Sequence, residues 1–206
     1  MPIRTCFFDM GNVLVHFSHD RMCQNIAAAC DMSVDRITEM LMESGLQWQL
    51  ECGEISEAEF HAKFQTELKR SIDPAALKHA AADIFWLNDS IVPLVDELRQ
   101  LGMRLVLLSN TSVTHLNFIQ QNFDILDRFD ALTTSFQAGA LKPHAAIYQD
   151  ALSRANCEPQ DCFYTDDIKD YVKAARTFGI NAEVYTDTNQ TRQTLRSLGV
   201  PVQSGG

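Results

Sequence analysis

The chain has no stretch approaching the 18 consecutive apolar residues that a membrane-spanning helix needs. A carboxylate at Asp9 interrupts its first segment before a secretory hydrophobic region can form. Clustered Lys or Arg is also missing. With 17 Lys+Arg against 27 Asp+Glu, the net charge of -10 repels a phosphate backbone or an anionic lipid surface, so neither nucleic acid nor membrane is expected as a partner. The six cysteines, Cys6, Cys23, Cys30, Cys52, Cys157 and Cys162, form no Cys-x-x-Cys pair at zinc-like spacing. They read as reduced, mostly buried thiols, and the expected location is cytoplasmic. There is no P-loop and no Gly-x-Gly-x-x-Gly fingerprint, which leaves nucleotide cofactors without support. There is no internal repeat and no low-complexity tract. Nothing in the pattern sets the oligomeric state.

What is present is a composition near the globular average, 46% hydrophobic and 21% charged, at a length that buries about 70% of the unfolded surface. Ile3–Phe8 is an apolar run that stops at Asp9, with Gly11 and Asn12 following as turn formers: a buried strand feeding a loop. Residues 18–88 read as about four short helices without a convincing strand. Ser56 and Glu59 form a capping box, and Asp73-Pro74 supplies an N-cap and a first-turn proline. From Ile91 onward the character alternates. Helices over 91–101, 143–154, 168–178 and 191–198 are interleaved with strands over 103–108, 131–135, 161–165 and 180–185, with a further helix ending at Asn122. Ser204-Gly205-Gly206 reads as a frayed tail.

Such alternation implies βαβ crossovers, hence an α/β fold with a Rossmann-like parallel sheet formed by residues 1–16 and 89–206. Residues 17–88 are then a helical cap of four-helix-bundle type, inserted after the first strand. Three apolar strands end in Asp9, Ser109-Asn110 and Asp166-Asp167, and the carboxyl ends of parallel strands form the ligand crevice of an open sheet.

Four motifs in order, Phe8-Asp9-Met10-Gly11-Asn12-Val13-Leu14, Leu108-Ser109-Asn110-Thr111, Lys142-Pro143 and Tyr164-Thr165-Asp166-Asp167, resemble those of the haloacid dehalogenase superfamily of phosphatases. The resemblance spans the whole chain and implies a phosphatase acting on a small phosphorylated metabolite. Asp9 would be the nucleophile that forms an aspartyl-phosphate. Ser109 and Asn110 would hold the phosphoryl oxygens, and Lys142 would balance charge in the transition state. The metal would be bound by Asp9, the Gly11 carbonyl and Asp167, with Asp166 acting through water. Three carboxylates without His or Cys favour a hard cation, Mg²⁺. The Asp-x-Gly-Asn-Val-Leu form further resembles a subgroup that includes glucose-1-phosphate phosphatases.

Two positions depart from the family pattern. Tyr171 stands where an Asn often supports the metal, and Gly11 stands where an Asp commonly protonates the leaving oxygen. General acid-base catalysis is worth about 10²–10⁴ in rate, so Gly11 predicts either a slow enzyme favouring esters of acidic alcohols, such as sugar 1-phosphates, or a substitute acid, for which His16 is the candidate. Two other readings follow: a phosphate-site binding or regulatory protein without catalysis, and a metal-independent dehalogenase, which leaves Asp166 and Asp167 without a purpose. His16, His19 and Asp20 read as the hinge and first helix of the cap. Trp48, Glu51, Gly53, Glu54 and Ile55 resemble a cap segment in which Cys52 replaces an Arg.

Overall fold

A computed structural model describes residues 3–204; Gly205 and Gly206, read above as part of a frayed tail, lie outside the described residues. The first half contains β1 (Thr5–Phe8), β2 (Val15–Phe17), α1 (His19–Cys30), α2 (Val34–Thr38), α3 (Leu46–Cys52), α4 (Glu57–Leu68), α5 (Pro74–Ala82) and β3 (Phe85–Leu87). The second half contains α6 (Val92–Gln100), β4 (Arg104–Ser109), α7 (Val113–Asn122), β5 (Ala131–Thr134), α8 (Ser135–Ala138), α9 (Ala145–Ser153), β6 (Cys162–Asp166), α10 (Lys169–Thr177), β7 (Asn181–Val184) and α11 (Thr188–Ser197).

Five strands form one sheet in the order β5-β4-β1-β6-β7, and every pairing is parallel. A sheet covered on both faces needs strands that are apolar on both faces, which is why β1 and β6 are buried at every position. Alternate residues serve different layers. Cys6, Phe8, Leu105, Leu107 and Phe163 pack with α6, α7 and α11, while Phe7, Val106, Leu108, Cys162 and Tyr164 pack with α9 and α10. The chain leaves the central β1 toward β4 and β5, then returns to place β6 and β7 on the other side, so the strand order reverses at the end of β1.

Between β1 and β4 the helices α1–α5 bury a separate apolar cluster running from Met22 to Ile84. Their ends are set by side-chain caps: Ser18 on Arg21 N–H, Ser33 on Arg36 N–H, the reciprocal Ser56–Glu59 box, and Asp73 on Ala75 and Ala76. The expected count of four helices is corrected to five α-helices, with a π-helical turn over Glu39–Glu43. The absence of strand is corrected as well. Phe85–Leu87 pairs antiparallel with β2 to make a two-stranded ribbon where the helical segment leaves and rejoins the sheet. A three-residue strand carries almost no periodicity, and its stability comes from its remote partner rather than from its own sequence. In the sheet domain the expected helices and strands are present with ends shifted by a few residues. The last helix starts three residues early because Asp187 caps it at Gln190 N–H.

Candidate active site

The strand register builds the site. Phe8 lies opposite Leu107 on one side and Thr165 on the other, so the next residue, Asp9, leaves the sheet beside Asp166. Asp9 N–H donates to the Thr165 carbonyl at 3.1 Å, which fixes that level. The carboxylates of Asp9, Asp166 and Asp167 place one oxygen each within 4.8 Å of one another.

Lys142 reaches this group from the loop between α8 and α9. Asn110, just past β4, clamps its backbone: Lys142 N–H donates to Asn110 Oδ1 at 2.7 Å, and Asn110 Nδ2 donates back to the Lys142 carbonyl at 3.3 Å. The ammonium, on a residue only 3% exposed, stands 2.8 Å from Asp9 Oδ1 and 2.6 Å from Asp166 Oδ2, and also donates to the Leu108 carbonyl at 3.1 Å. Burial works against its charge, but Asp9 and Asp166 outweigh burial and hold it above the ordinary lysine value.

The two adjacent aspartates occupy different surroundings. Asp166 is fully buried, with Oδ2 accepting from Lys142 and from the Tyr164 hydroxyl and Oδ1 accepting from Ile168 N–H at 2.8 Å. Each of its oxygens therefore accepts from at least one protein donor. Asp167 is half-buried and faces the cavity, with Oδ2 accepting from Asn12 Nδ2 at 2.9 Å. Asn12 adopts a left-handed conformation, φ 56°, which Asn tolerates better than most residues and which turns its amide toward Asp167.

Asp9 is pushed up to about 7, first by burial and then by Asp166, with Lys142 opposing both. Asp167 is also raised, chiefly by burial. Three carboxylates against one ammonium leave an excess of negative charge in a low-dielectric site, which a further cation would relieve. The donors are all oxygen, with no His or Cys in the group, and that set fits Mg²⁺.

A cavity of about 190 Å³ opens above Asp9. The sheet side of its wall is formed by Asp9, Gly11, Asn110, Lys142, Asp167 and Tyr171, and the cap side by Phe17, His19, Trp48, Glu51, Ile84 and Phe85. Ser109 is outside this lining, 1% exposed at the end of β4, with its hydroxyl on the Asn110 carbonyl at 3.3 Å. Tyr171 puts its ring 5.1 Å from the Lys142 ammonium and accepts from Asn110 Nδ2 at 3.4 Å, so the residue found in place of the expected Asn supports the lysine loop.

His16 is not in the cavity. It stands opposite Trp86 in the ribbon, with ring centroids 5.9 Å apart, while its neighbours Val15 and Phe17 turn inward; strand alternation excludes it from the role of substitute acid. His115 lines the cavity, but burial pulls it down to about 4 and its Nε2 lies 3.2 Å from the Ala81 carbonyl.

One ionisable residue sequence reasoning treated only as part of a cap segment is Glu51, at the C-terminal end of α3. It is 7% exposed, accepts from Gln47 Nε2 at 2.9 Å on Oε1, and burial pushes it up to about 7. Its place is set by backbone contacts: Ser135 Oγ donates to the Glu51 carbonyl, and Gly53, with φ 75°, ends α3 against α8 so closely that a Cβ there would lie 2.6 Å from the Phe136 carbonyl oxygen.

A family model for haloacid dehalogenase-like hydrolases matches residues 3–179. Among curated proteins, the chain is 29% identical over 119 residues to a Mycobacterium tuberculosis protein named phosphatase MT3486, a match that covers 55% of each chain. It is 24% identical over 187 residues to the D-ribitol-5-phosphate phosphatase of Bacteroides thetaiotaomicron, covering 86% of this chain and 89% of that one. Its fold is similar to that of a haloacid dehalogenase family enzyme of Bacteroides thetaiotaomicron solved with magnesium and inorganic phosphate, with TM-score 0.80, 23% identity, and coverage of 90% of this chain and 96% of that one. The match to the first relative thus spans about half that protein's length.

Proposed function

The chain belongs to the haloacid dehalogenase-like hydrolases, and from that premise we propose that it is a Mg²⁺-dependent phosphomonoester phosphatase acting on a small phosphorylated metabolite. The observation that carries this reading is the convergence of Asp9, Asp166 and Asp167 with the buried Lys142 at the carboxyl edge of the sheet. The phosphatase names of the two relatives support it. So does the cavity, whose volume falls below the roughly 300–1,000 Å³ of drug-sized sites.

Asp9 attacks the substrate phosphorus, the ester P–O bond breaks, and water then hydrolyses the aspartyl-phosphate. Lys142 holds the Asp9 carboxylate in place and sets positive charge against the transferring group. Asp166 acts as a positioning residue for Lys142, held by the Tyr164 hydroxyl and Ile168 N–H. Asp9, the Gly11 carbonyl and Asp167 would hold the metal, with Asp166 acting through water. Bound there, Mg²⁺ neutralises the carboxylates and draws charge from the phosphoryl oxygens. Ser109 and Asn110 stand at the edge of the phosphate position: the hydroxyl of Ser109 must turn from the Asn110 carbonyl to reach a phosphoryl oxygen, and Asn110 contributes chiefly through the lysine loop. The helical segment 17–88 acts as the cap that closes over the substrate and excludes water.

Within this class, the Asp-x-Gly-Asn-Val-Leu form of the first motif favours a sugar 1-phosphate. The test is phosphate release from a panel of phosphorylated metabolites with and without Mg²⁺. Mg²⁺-dependent turnover that Asp9→Asn abolishes and Asp167→Ala lowers together with Mg²⁺ affinity is the expected result. Full turnover after thorough chelation, or in Asp9→Asn, would overturn the assignment.

A further inference from the structure

The position two residues after the nucleophile cannot supply an acid, and its surroundings leave little space for one. A Cβ on Gly11 would lie 2.7 Å from Cε1 of Phe17, whose ring fills the space an aspartate would take. The proton for a leaving oxygen must come from elsewhere in the cavity wall. His16 lies outside it, and His115 is neutral with Nε2 on a backbone carbonyl. Lys142 is committed to two carboxylates, and Asp167 to Asn12 and the metal position. His19 is pulled down by burial and packs against the Phe17 ring, centroids 4.9 Å apart.

Glu51 differs from all of these. It faces Asp9 across the cavity from the cap, it is more than nine-tenths buried, and it has no Lys or Arg partner among the described residues. Gln47 engages Oε1, while Oε2 accepts no hydrogen bond among the described residues. The backbone on which it rides is docked to the sheet domain by Ser135 and by the close approach of Gly53 to Phe136.

We infer that Glu51, delivered by the cap, is the general acid and base of the reaction, taking the place of the missing aspartate; the inference rests on the phosphatase reading. In the first step an Asp9 oxygen bonds to phosphorus, the ester bond breaks, and the Glu51 proton passes to the departing oxygen, so that the alcohol leaves and Glu51 becomes a carboxylate. In the second step Glu51 takes a proton from water as the water oxygen attacks phosphorus, which releases inorganic phosphate, the Asp9 carboxylate and a protonated Glu51. A carboxyl raised to about 7 is matched to both halves of this cycle at neutral pH. Other titratable groups facing the cavity are Asp9, Asp167, Lys142, Tyr171, His19 and His115. With Glu51 in this role the leaving-group restriction expected from Gly11 is lifted, and the choice among esters falls to the cap.

Two substrates separate the role. p-Nitrophenyl phosphate has a leaving group that departs without a proton, and a hexose 6-phosphate has one that needs it. Glu51→Gln should release a burst of about one p-nitrophenol per site and then turn over slowly, since only the second step still needs a base. Its single-turnover rate on the hexose 6-phosphate should fall by about 10²–10⁴. Glu51→Asp, which keeps the acid but shortens its reach, should recover part of that loss. Wild-type-like rates for Glu51→Gln on both substrates would overturn the inference, and so would loss of the burst in both variants, which would make Glu51 part of the scaffold of the nucleophile. A wild-type protein that releases phosphate from neither of these substrates nor any member of the metabolite panel would instead remove the phosphatase reading itself.

Discussion

Glu51 is an expensive residue for the folded chain to carry. Buried, it keeps its proton up to about pH 7, whereas in the unfolded chain it releases the proton near 4.5. Between those values the unfolded state binds fewer protons, so this residue lowers stability progressively as pH rises through the window, and the penalty stays constant above it. Its full size is on the order of 3 kcal/mol. Glu51→Gln, which is neutral at every pH and can keep a hydrogen bond to Gln47, should raise the thermal midpoint at pH 8 and leave it nearly unchanged at pH 4.5. Equal midpoints for the two proteins at pH 8 would mean that the carboxyl is hydrated rather than buried. The aspartates of the candidate site were legible in the sequence because each stands at the end of a buried, mostly apolar strand: Asp9 after Phe8, Asp166 after Thr165. Glu51 was not singled out because its environment depends on where α3 docks, and no local pattern encodes that. Phe17 over Gly11 and Asn12 against Asp167 were hidden for the same reason, the latter pair being 155 residues apart in sequence.

At the level of elements, α3 joins the cap to the chemistry. Its C-terminal glycine is required twice, by a φ of 75° and by a Phe136 carbonyl lying where a Cβ would point. Gly53→Ala should therefore cost about 1–3 kcal/mol of stability, the sum of left-handed strain and a backbone contact that cannot flex away. It should also raise KM more than it lowers kcat, because the end of α3 that carries Trp48 and Glu51 must move off α8. A thermal midpoint and KM both matching the wild type would show that the cap is not seated through this contact. The alternating helices and strands of the sheet domain were readable because each is long enough to show its period, as in Leu94, Val95 and Leu98 on one face of α6. The ribbon of β2 and β3 was not. Each strand has three residues, and Phe85 reads as well as the end of a helix as it does as a strand partner of Phe17.

For the molecule as a whole, the topology sets two walls of different origin against each other across the cavity. The reversal of strand order at β1 gathers Asp9, Asp166 and the Lys142 loop at one edge of the sheet, while the insertion between β1 and β4 supplies an opposing wall with its own apolar cluster. Two further tethers hold the halves together: Glu57 accepts from Thr114 N–H at 3.0 Å and from its hydroxyl at 2.7 Å, and His115 Nε2 lies 3.2 Å from the Ala81 carbonyl. No described helix is long and apolar enough to cross a membrane. The central claim is that turnover passes through a phosphoryl group on Asp9, and it is tested most directly by acid-quenching the protein during turnover of p-nitrophenyl phosphate with Mg²⁺ and analysing its peptides by mass spectrometry. The account requires one phosphoryl group on the peptide containing Asp9, absent without Mg²⁺ and in Asp9→Asn, and accumulating further in Glu51→Gln. Steady release of phosphate with an unmodified Asp9 peptide under all of these conditions would contradict it.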